Sequence, residues 1–554
     1  MKKKILCLAL CVIMVVASLV GCQEENKQEI MNAIGKEASK GALTVTVMLL
    51  AEEKVSTEQE ELVEAAVNEH MSYYNIRLDL KYYTEDKYYD TLEENLEMMY
   101  KVSKGEVKAA TNNKESETKY LYIDENGLPT VYYPPNPDYH VDIFYFGGYD
   151  RYLKYKSIDI NGDGVVDTKD GDGYFADVST EVSTGKGKGL QNGISAVLFE
   201  GVKGSFDGKV NMVPCNNQMG EYSYLVFNKD VLENTAFTAE QLSDFSNGMF
   251  SDFMRIVSDA SYSSAYDLIY SAEDDVPAEL KNYTVVTEKS DKPFVIEYIK
   301  GDITLPQKYY DEYGDKYELV VFEKPVVERD DLCENAFGVC RYTNEKAQTA
   351  LVLAELYTNK EIINLLAHGV EGTNYTWVDS GVYDENYEPY QVLKKITDDK
   401  DLIYDMDIAK IGNSAEAYPT VDDDPRRTEY ILDQNSDASF YYSYIAVNKD
   451  ALAIVNKDLK DKFTVADMAD FSNGKYLAFL KIVSDPTKTE YAAYDLIYST
   501  EKVILDEFKG YNVVAEKSEK PFIIEYIKGD SDFLDEYEDQ YGDKYDIAVV
   551  KNFA

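Results

Sequence analysis

Apolar and polar positions alternate in blocks that point to an α/β chain. Leu43 to Leu50 (LTVTVMLL) is almost wholly apolar or β-branched, the pattern of a strand covered on both faces. Ser56 to Met71 then places Leu62, Val63, Ala66 and Val67 at helical spacing. Ser56 stands as its N-cap, and Gln59 three residues on gives the Ser-x-x-Gln form of a capping box. Tyr74 to Tyr82 reads as a second strand, and Glu85 to Val102 as an amphipathic helix with Tyr89, Leu92, Leu96 and Met99 on one side. A polar stretch from Ser103 to Thr118 reads as a surface loop. Val141 to Phe146 is a third strand running into Gly147-Gly148. Strand–helix alternation of this kind implies a parallel sheet with crossover helices. Further on, Asn344 to Ala367 carries Ala350, Leu353, Ala354, Leu365 and Leu366 on one face, with Gly369 as its C-cap.

A long internal repeat occupies the rest. Tyr222 to Phe322 and Tyr442 to Val550 share NKD (Asn228, Asn448), DFSNG (Asp244, Asp470) and AYDLIYS (Ala265, Ala493). IEYIKGD (Ile296, Ile524) and YGDKY (Tyr313, Tyr541) follow in the same order at similar spacing, which chance does not explain. Each copy is expected to form a helix of about twenty residues followed by three short strands. Two copies are too few for a solenoid and are read as duplicated α/β modules.

Composition narrows the function. The formal charge of the 554 residues is −46, so binding to nucleic acid phosphates or anionic headgroups is disfavoured. The three histidines, His70, His140 and His368, are far apart and no CxxC occurs, which speaks against a histidine or zinc centre. No GxSxG, HExxH or P-loop pattern is present, and no enzymatic activity is expected. The N-terminus combines Lys2, Lys3 and Lys4 with an apolar run from Ile5 to Val20, the pattern of a secretory signal. It ends in Leu19-Val20-Gly21-Cys22, which resembles the bacterial lipobox. That resemblance implies a lipid on Cys22, with residues 23–40 as tether, on the outer face of the cell membrane. Cleavage would remove three lysines and leave a net charge of about −49. Of the cysteines left, Cys215, Cys333 and Cys340, the last two are close enough in sequence to pair, and equally able to remain free thiols.

Four stretches resemble the solute-binding lipoproteins of carbohydrate ABC importers, of the maltodextrin-binding kind. They are the lipobox with its LTVTVMLL strand, VDIFYFGGYDRYLKY from Val141, FDGKVNMVPCNNQMGEYSYLVFNKD from Phe206, and FGVCRYTNEKAQTALVLAELYTNKEIINLLAHGVEGTNY from Phe337. The resemblance implies a two-lobed, periplasmic-binding-protein-like fold of type II with mixed sheets. On this reading residues 41–156 form the N-terminal lobe and 206–330 the second lobe with the first repeat copy. Residues 331–441 would supply the helical part of the second lobe and the hinge, and 442–554 the second copy. The second copy at the C-terminus and an insertion at 157–205 depart from the family pattern.

The insertion holds Asp159, Asn161, Asp163, Asp167 and Asp170 with Gly164 between them, an arrangement that fits a calcium loop of EF-hand or dockerin type. An acidic turn without metal is the alternative. A sugar site needs flat rings and amide or carboxylate partners. Tyr145, Phe146, Tyr149, Tyr222, Tyr375 and Trp377 are the candidate rings, with Asn216, Asn217 and Glu221 as polar partners. The expected function is capture of a solute, an oligosaccharide, for ABC permease subunits. A surface lipoprotein adhering to a polysaccharide or protein is the alternative.

Overall fold

The computed structural model describes residues 42–104, 139–156, 173–205, 208–396 and 404–550, together with strands at 107–109, 120–123 and 129–132. Positions 344, 385, 405, 458, 461, 472–473, 502–504, 506–507 and 509 are excepted. Cys22, the tether and the five candidate calcium ligands lie outside the described residues. No helix among the described residues is long and apolar enough to cross a membrane. The chain divides into two compact α/β units. Among the described residues, those of 42–193, 211–215 and 334–425 form the first, and those of 194–210, 216–333 and 426–550 the second.

The sheet of the first unit runs Ile76–Thr84, Leu43–Ala51, Ile143–Phe146, Ala336–Val339, Met212–Pro214. The first three are parallel, in register Val45↔Leu78 and Val47↔Ile143, as their helical crossovers require. Ala336–Val339 is antiparallel to both its neighbours, so the sheet is mixed. Helix Thr57–Met71 fastens to the edge strand through buried Asn68, whose Nδ2 donates to Leu78 O (2.9 Å) and whose Oδ1 accepts from Leu78 N (2.6 Å). Helix Glu85–Ser103 is held by Tyr88, whose hydroxyl donates to the carbonyls of Met48 and Tyr145 (3.1 and 2.8 Å).

Two further sheets, both in the second unit, repeat this plan. One runs Val285–Val286, Asp267–Tyr270, Phe294–Gly301, Tyr222–Asn228, Tyr317–Glu323. The other runs Val513–Val514, Asp495–Tyr498, Phe522–Gly529, Tyr442–Asn448, Tyr545–Val549. In each, the fourth strand alone is antiparallel to its neighbours. In the first unit that strand is the last of the five in sequence, and in the other two it is the first. Each sheet buries its own core, around Phe227, Phe253 and Ile296 in one case and Val447, Phe479 and Ile524 in the other.

Several expectations are corrected. Among the described residues each repeat copy has five strands and opens on one, Tyr222–Asn228 or Tyr442–Asn448. The expected long helix of the first copy is broken into short ones because Thr238, Asp244 and Asp259 accept capping hydrogen bonds and Gly248 takes φ +77°. The Asn344–Ala367 helix is two helices, Lys346–Thr358 and Lys360–His368, because Asn359 leaves helical geometry and caps the second through Ile362 N. Within the expected loop after Ser103, Val107–Ala109 is a strand paired with Tyr120–Ile123. Residues 334–425 pack with the first unit, where Ala336–Val339 completes the sheet, and do not join the second. Part of the expected insertion does likewise, since Phe175 bridges Cys340. Cys215, Cys333 and Cys340 are free, buried thiols, and burial pushes each of them up in pKa.

Candidate functional site

In the first unit the chain leaves strand Leu43–Ala51 toward one neighbour and later returns to the other. The carboxyl ends of Leu43–Ala51 and Ile143–Phe146 therefore flank a topological switch point, where open α/β sheets hold ligands. Gly147 and Gly148 follow the second of these ends. A Cβ on Gly147 would stand 2.9 Å from Tyr145 Oη and 3.0 Å from Glu334 O, so only a bare backbone fits. Gly148 has φ +94° and turns the chain into helix Tyr149–Lys156.

The first turn of that helix brings Arg151 back over the strand end. Its Nη1 donates to Gly147 O (2.7 Å), and its guanidinium lies 3.6 Å from the centre of the Tyr89 ring. Burial pushes the Tyr89 phenol up, with Arg151 opposing. Glu52, directly after the other strand end, lies 3.6 Å from Lys410 Nζ, and Lys410 also pairs with Asp407 at 3.1 Å. Burial alone would lower the Lys410 pKa. Asp407 and Glu52 outweigh it and hold the ammonium above its ordinary value. Lys410 and Tyr89 also interact electrostatically, and Glu85 acts on both, which ties these groups into one cluster. An aromatic ring, a guanidinium, an ammonium and carboxylates together offer hydrogen-bond donors and acceptors beside an apolar surface. That set matches a ligand rich in hydroxyls.

Most of the sequence-predicted residues have structural roles. Tyr145 and Phe146 are 2 % and 0 % exposed within the sheet, and Tyr145 donates to Asn335 Oδ1 (2.6 Å). Tyr149 is half-buried and stacks on Tyr152 at 5.9 Å beside the Arg151 cluster. Tyr375 is buried, and half-buried Trp377 packs edge-on against it and against Tyr418. In the second unit, Asn435 Nδ2 donates to Asn217 O (2.9 Å) and to buried Asn216 Oδ1 (3.4 Å). Tyr222 is buried and donates to Asp437, while Glu221 is exposed. Among the described residues no cluster of three His, Cys, Asp or Glu side chains could hold a metal.

The repeat copies carry a switch point of their own between their second and third strands. Ser271 Oγ donates to Tyr298 O and accepts from Glu273 N, and Glu273 Oε1 accepts from Lys300 N (3.2 Å). Ser499, Glu501, Tyr526 and Lys528 repeat this clip in the second copy. At the carboxyl end of the first copy is a hollow of about 440 Å³ lined by Asp275, Glu279, Glu323 and Lys300 with Phe245, Phe322 and Tyr298. In the second copy the matching lysine, Lys528, is ion-paired with Glu328, which belongs to the segment just after the first copy. The groups at Glu52, Tyr89, Arg151 and Lys410 were missed from sequence. The signal that would have found them is position, since Glu52 and Arg151 stand just past predicted strand ends.

Folding and site together define a mixed α/β chain of two units with polar–aromatic clusters at the carboxyl ends of its sheets. No family model and no curated protein matches the chain. Among solved structures, it is similar to the N-glycan transport solute binding protein NgtS of Streptococcus pneumoniae at 12 % identity, covering 72 % of this chain and 83 % of that one, with TM-score 0.37. An extracellular solute-binding protein from Bifidobacterium longum subsp. infantis aligns at 10 % identity over 72 % and 82 % of the two chains, TM-score 0.32. The ABC substrate-binding protein Lmo0181 of Listeria monocytogenes, solved with cycloalternan, aligns at 8 % over 72 % and 88 %, TM-score 0.24. At these identities and scores the likeness says nothing of what this chain binds.

Proposed function

We propose that this protein is an extracytoplasmic, lipid-anchored solute-binding protein that captures an oligosaccharide for uptake through an ABC permease and performs no chemistry on it. The observation that carries the proposal is the cluster of Tyr89, Arg151, Glu52 and Lys410 at the switch point of the first sheet. A sugar needs donors for its ring and hydroxyl oxygens, acceptors for its hydroxyl hydrogens and a flat surface for its C–H face, and these four residues supply all three. The secretory signal and the lipobox-like Leu19–Cys22 support an address outside the membrane, and the charge of −46 favours a neutral solute over an anionic one.

The test is a thermal-shift screen of the purified chain against oligosaccharides, amino acids and short peptides. Oligosaccharides should raise the melting temperature, and Arg151→Ala should weaken that binding about tenfold or more, as expected for loss of about 1.4 kcal/mol of contact. Stabilisation by peptides or amino acids alone would overturn the proposal.

A further inference from the structure

The duplication allows the chain to be compared with itself. At the carboxyl end of the first copy the lining has drifted in sequence: Asp275, Pro277, Phe322 and Glu323 align with Val503, Leu505, Val550 and Lys551 of the second copy. Exposed helix positions have drifted too, Glu233 and Asn234 becoming Ala453 and Ile454. The opposite end of the sheet has not. There a hollow of about 510 Å³ lies where Asp267, Phe294 and Tyr317 open their strands and Asn228 closes the antiparallel one. Every side chain lining it is the same residue in the second copy except Asp291, which is Glu519.

Part of this retention is explained by the fold. Tyr270, Phe294 and Tyr317 stack in a row at 6.0 and 4.5 Å, and Tyr498, Phe522 and Tyr545 do so at 5.3 and 4.5 Å. Ser290 donates to Asp267 and Ser518 to Asp495, both at 2.5 Å. The rest is not. Asp230, Asp291 and Lys316 line the hollow with charged groups that make no ion pair or side-chain hydrogen bond among the described residues. The same holds for Asp450, Glu519 and Lys544 in the second copy. Solvated surface charges are free to change, as those on the neighbouring helices have.

We propose that this amino-end hollow is a binding site for a neutral, polyhydroxylated ligand, a segment of an oligosaccharide, present once in each repeat copy and separate from the carboxyl-end cluster of the first unit. Its volume lies within the range of about 300–1,000 Å³ typical of small-molecule sites. Lys289, Lys292 and Lys316 line it together with Asp230, Asp267 and Asp291, so the lining offers three cationic donor groups, three anionic acceptor groups and no net charge. That balance suits hydroxyls, which must both donate and accept, and disfavours anions. A cationic ligand is disfavoured because Lys289 already sits over the rings, 5.2 Å from the centres of both Tyr270 and Tyr313. Lys517 holds the same place over Tyr498 and Tyr541.

Native mass spectrometry of the full mature chain with maltohexaose, cellohexaose and xylohexaose tests this by counting bound sugars. At least one probe should load two equivalents that persist in Arg151→Ala. The pair Asp230→Ala/Asp291→Ala should remove one of them, and the pair Asp450→Ala/Glu519→Ala the other. The four carboxylates make no ion pair or side-chain hydrogen bond among the described residues, and circular dichroism checks that the variants keep their structure. A single equivalent, lost in Arg151→Ala and unaffected by the aspartate pairs, would overturn this site while leaving the proposed function intact. No loading by any probe would overturn it as well.

Discussion

Glu297 lies on the third strand of the first repeat sheet, 3 % exposed, where it accepts a hydrogen bond from the Tyr309 hydroxyl. Burial, with Lys289 opposing, pushes its carboxyl up from 4.5 to about 7. Between those two values the folded protein keeps a proton that the unfolded chain has released. Stability from this group is therefore full below pH 4.5 and falls as pH rises through 7. The gap corresponds to about 3 kcal/mol at roughly 1.4 kcal/mol per unit. Glu297→Gln retains an oxygen for Tyr309 and removes the charge. The variant should match the wild type near pH 4.5 and exceed it by about 3 kcal/mol at pH 8. The assay is urea unfolding at a series of pH values, followed by tyrosine near-ultraviolet circular dichroism. Trp377, the only tryptophan, lies in the first unit, so its fluorescence transition should not move and serves as an internal control. A difference independent of pH, or a variant less stable than wild type at pH 8, would refute the reasoning. Glu525, paired with Tyr537 at 2.5 Å in the second copy and also raised by burial, should behave in the same direction.

Other expected outcomes concern the first unit and the proposed lipid anchor. Asp142, 2 % exposed, accepts from Thr46 N and from His140. Burial would raise its pKa, but the hydrogen bonds from His140, Thr343 and Thr46 outweigh it and hold the carboxyl below its ordinary value. Its contribution is therefore present above pH 3.8 and lost as pH falls through the folded pKa. Asp142→Asn should cost about 1–3 kcal/mol at neutral pH, read from Trp377 fluorescence in urea. Gly147→Ala should cost about 1–3 kcal/mol by forcing Tyr145 and the Glu334 carbonyl apart, and should weaken solute binding in the same preparation. Cys22→Ser should move the protein from the membrane pellet to the supernatant on cell fractionation.

What could be read in advance was periodic, and what could not was set by tertiary partners. The Leu43–Ala51 strand, the Glu85–Ser103 helix and the Gly369 cap follow directly from local pattern. Ser56 does cap through Gln59 N, at 3.4 Å, but the Gln59 side chain does not close the box. Its Oε1 accepts instead from Asn374, a residue 315 positions away in sequence. The single antiparallel strand of the first sheet comes from Ala336–Val339, whose placement no local signal encodes. The same limit governs the site. Tyr145 and Phe146 were plausible ring candidates from sequence, and their strand has both faces covered, so the rings went to the core. Arg151 and Lys410 are ordinary surface residues by composition, and their importance comes from the strand ends beside them. Glu297 and Glu525, buried carboxylates bonded to Tyr309 and Tyr537, stand in strands that look fully structural in the sequence.

Hydrogen–deuterium exchange of the mature protein, with and without the oligosaccharide that best stabilises it, bears on solute capture at the switch point most directly. Amides at Glu52, at Gly147 to Arg151 and around Lys410 should exchange more slowly in the bound state. Exchange at those three segments unchanged by a saturating sugar would contradict the account.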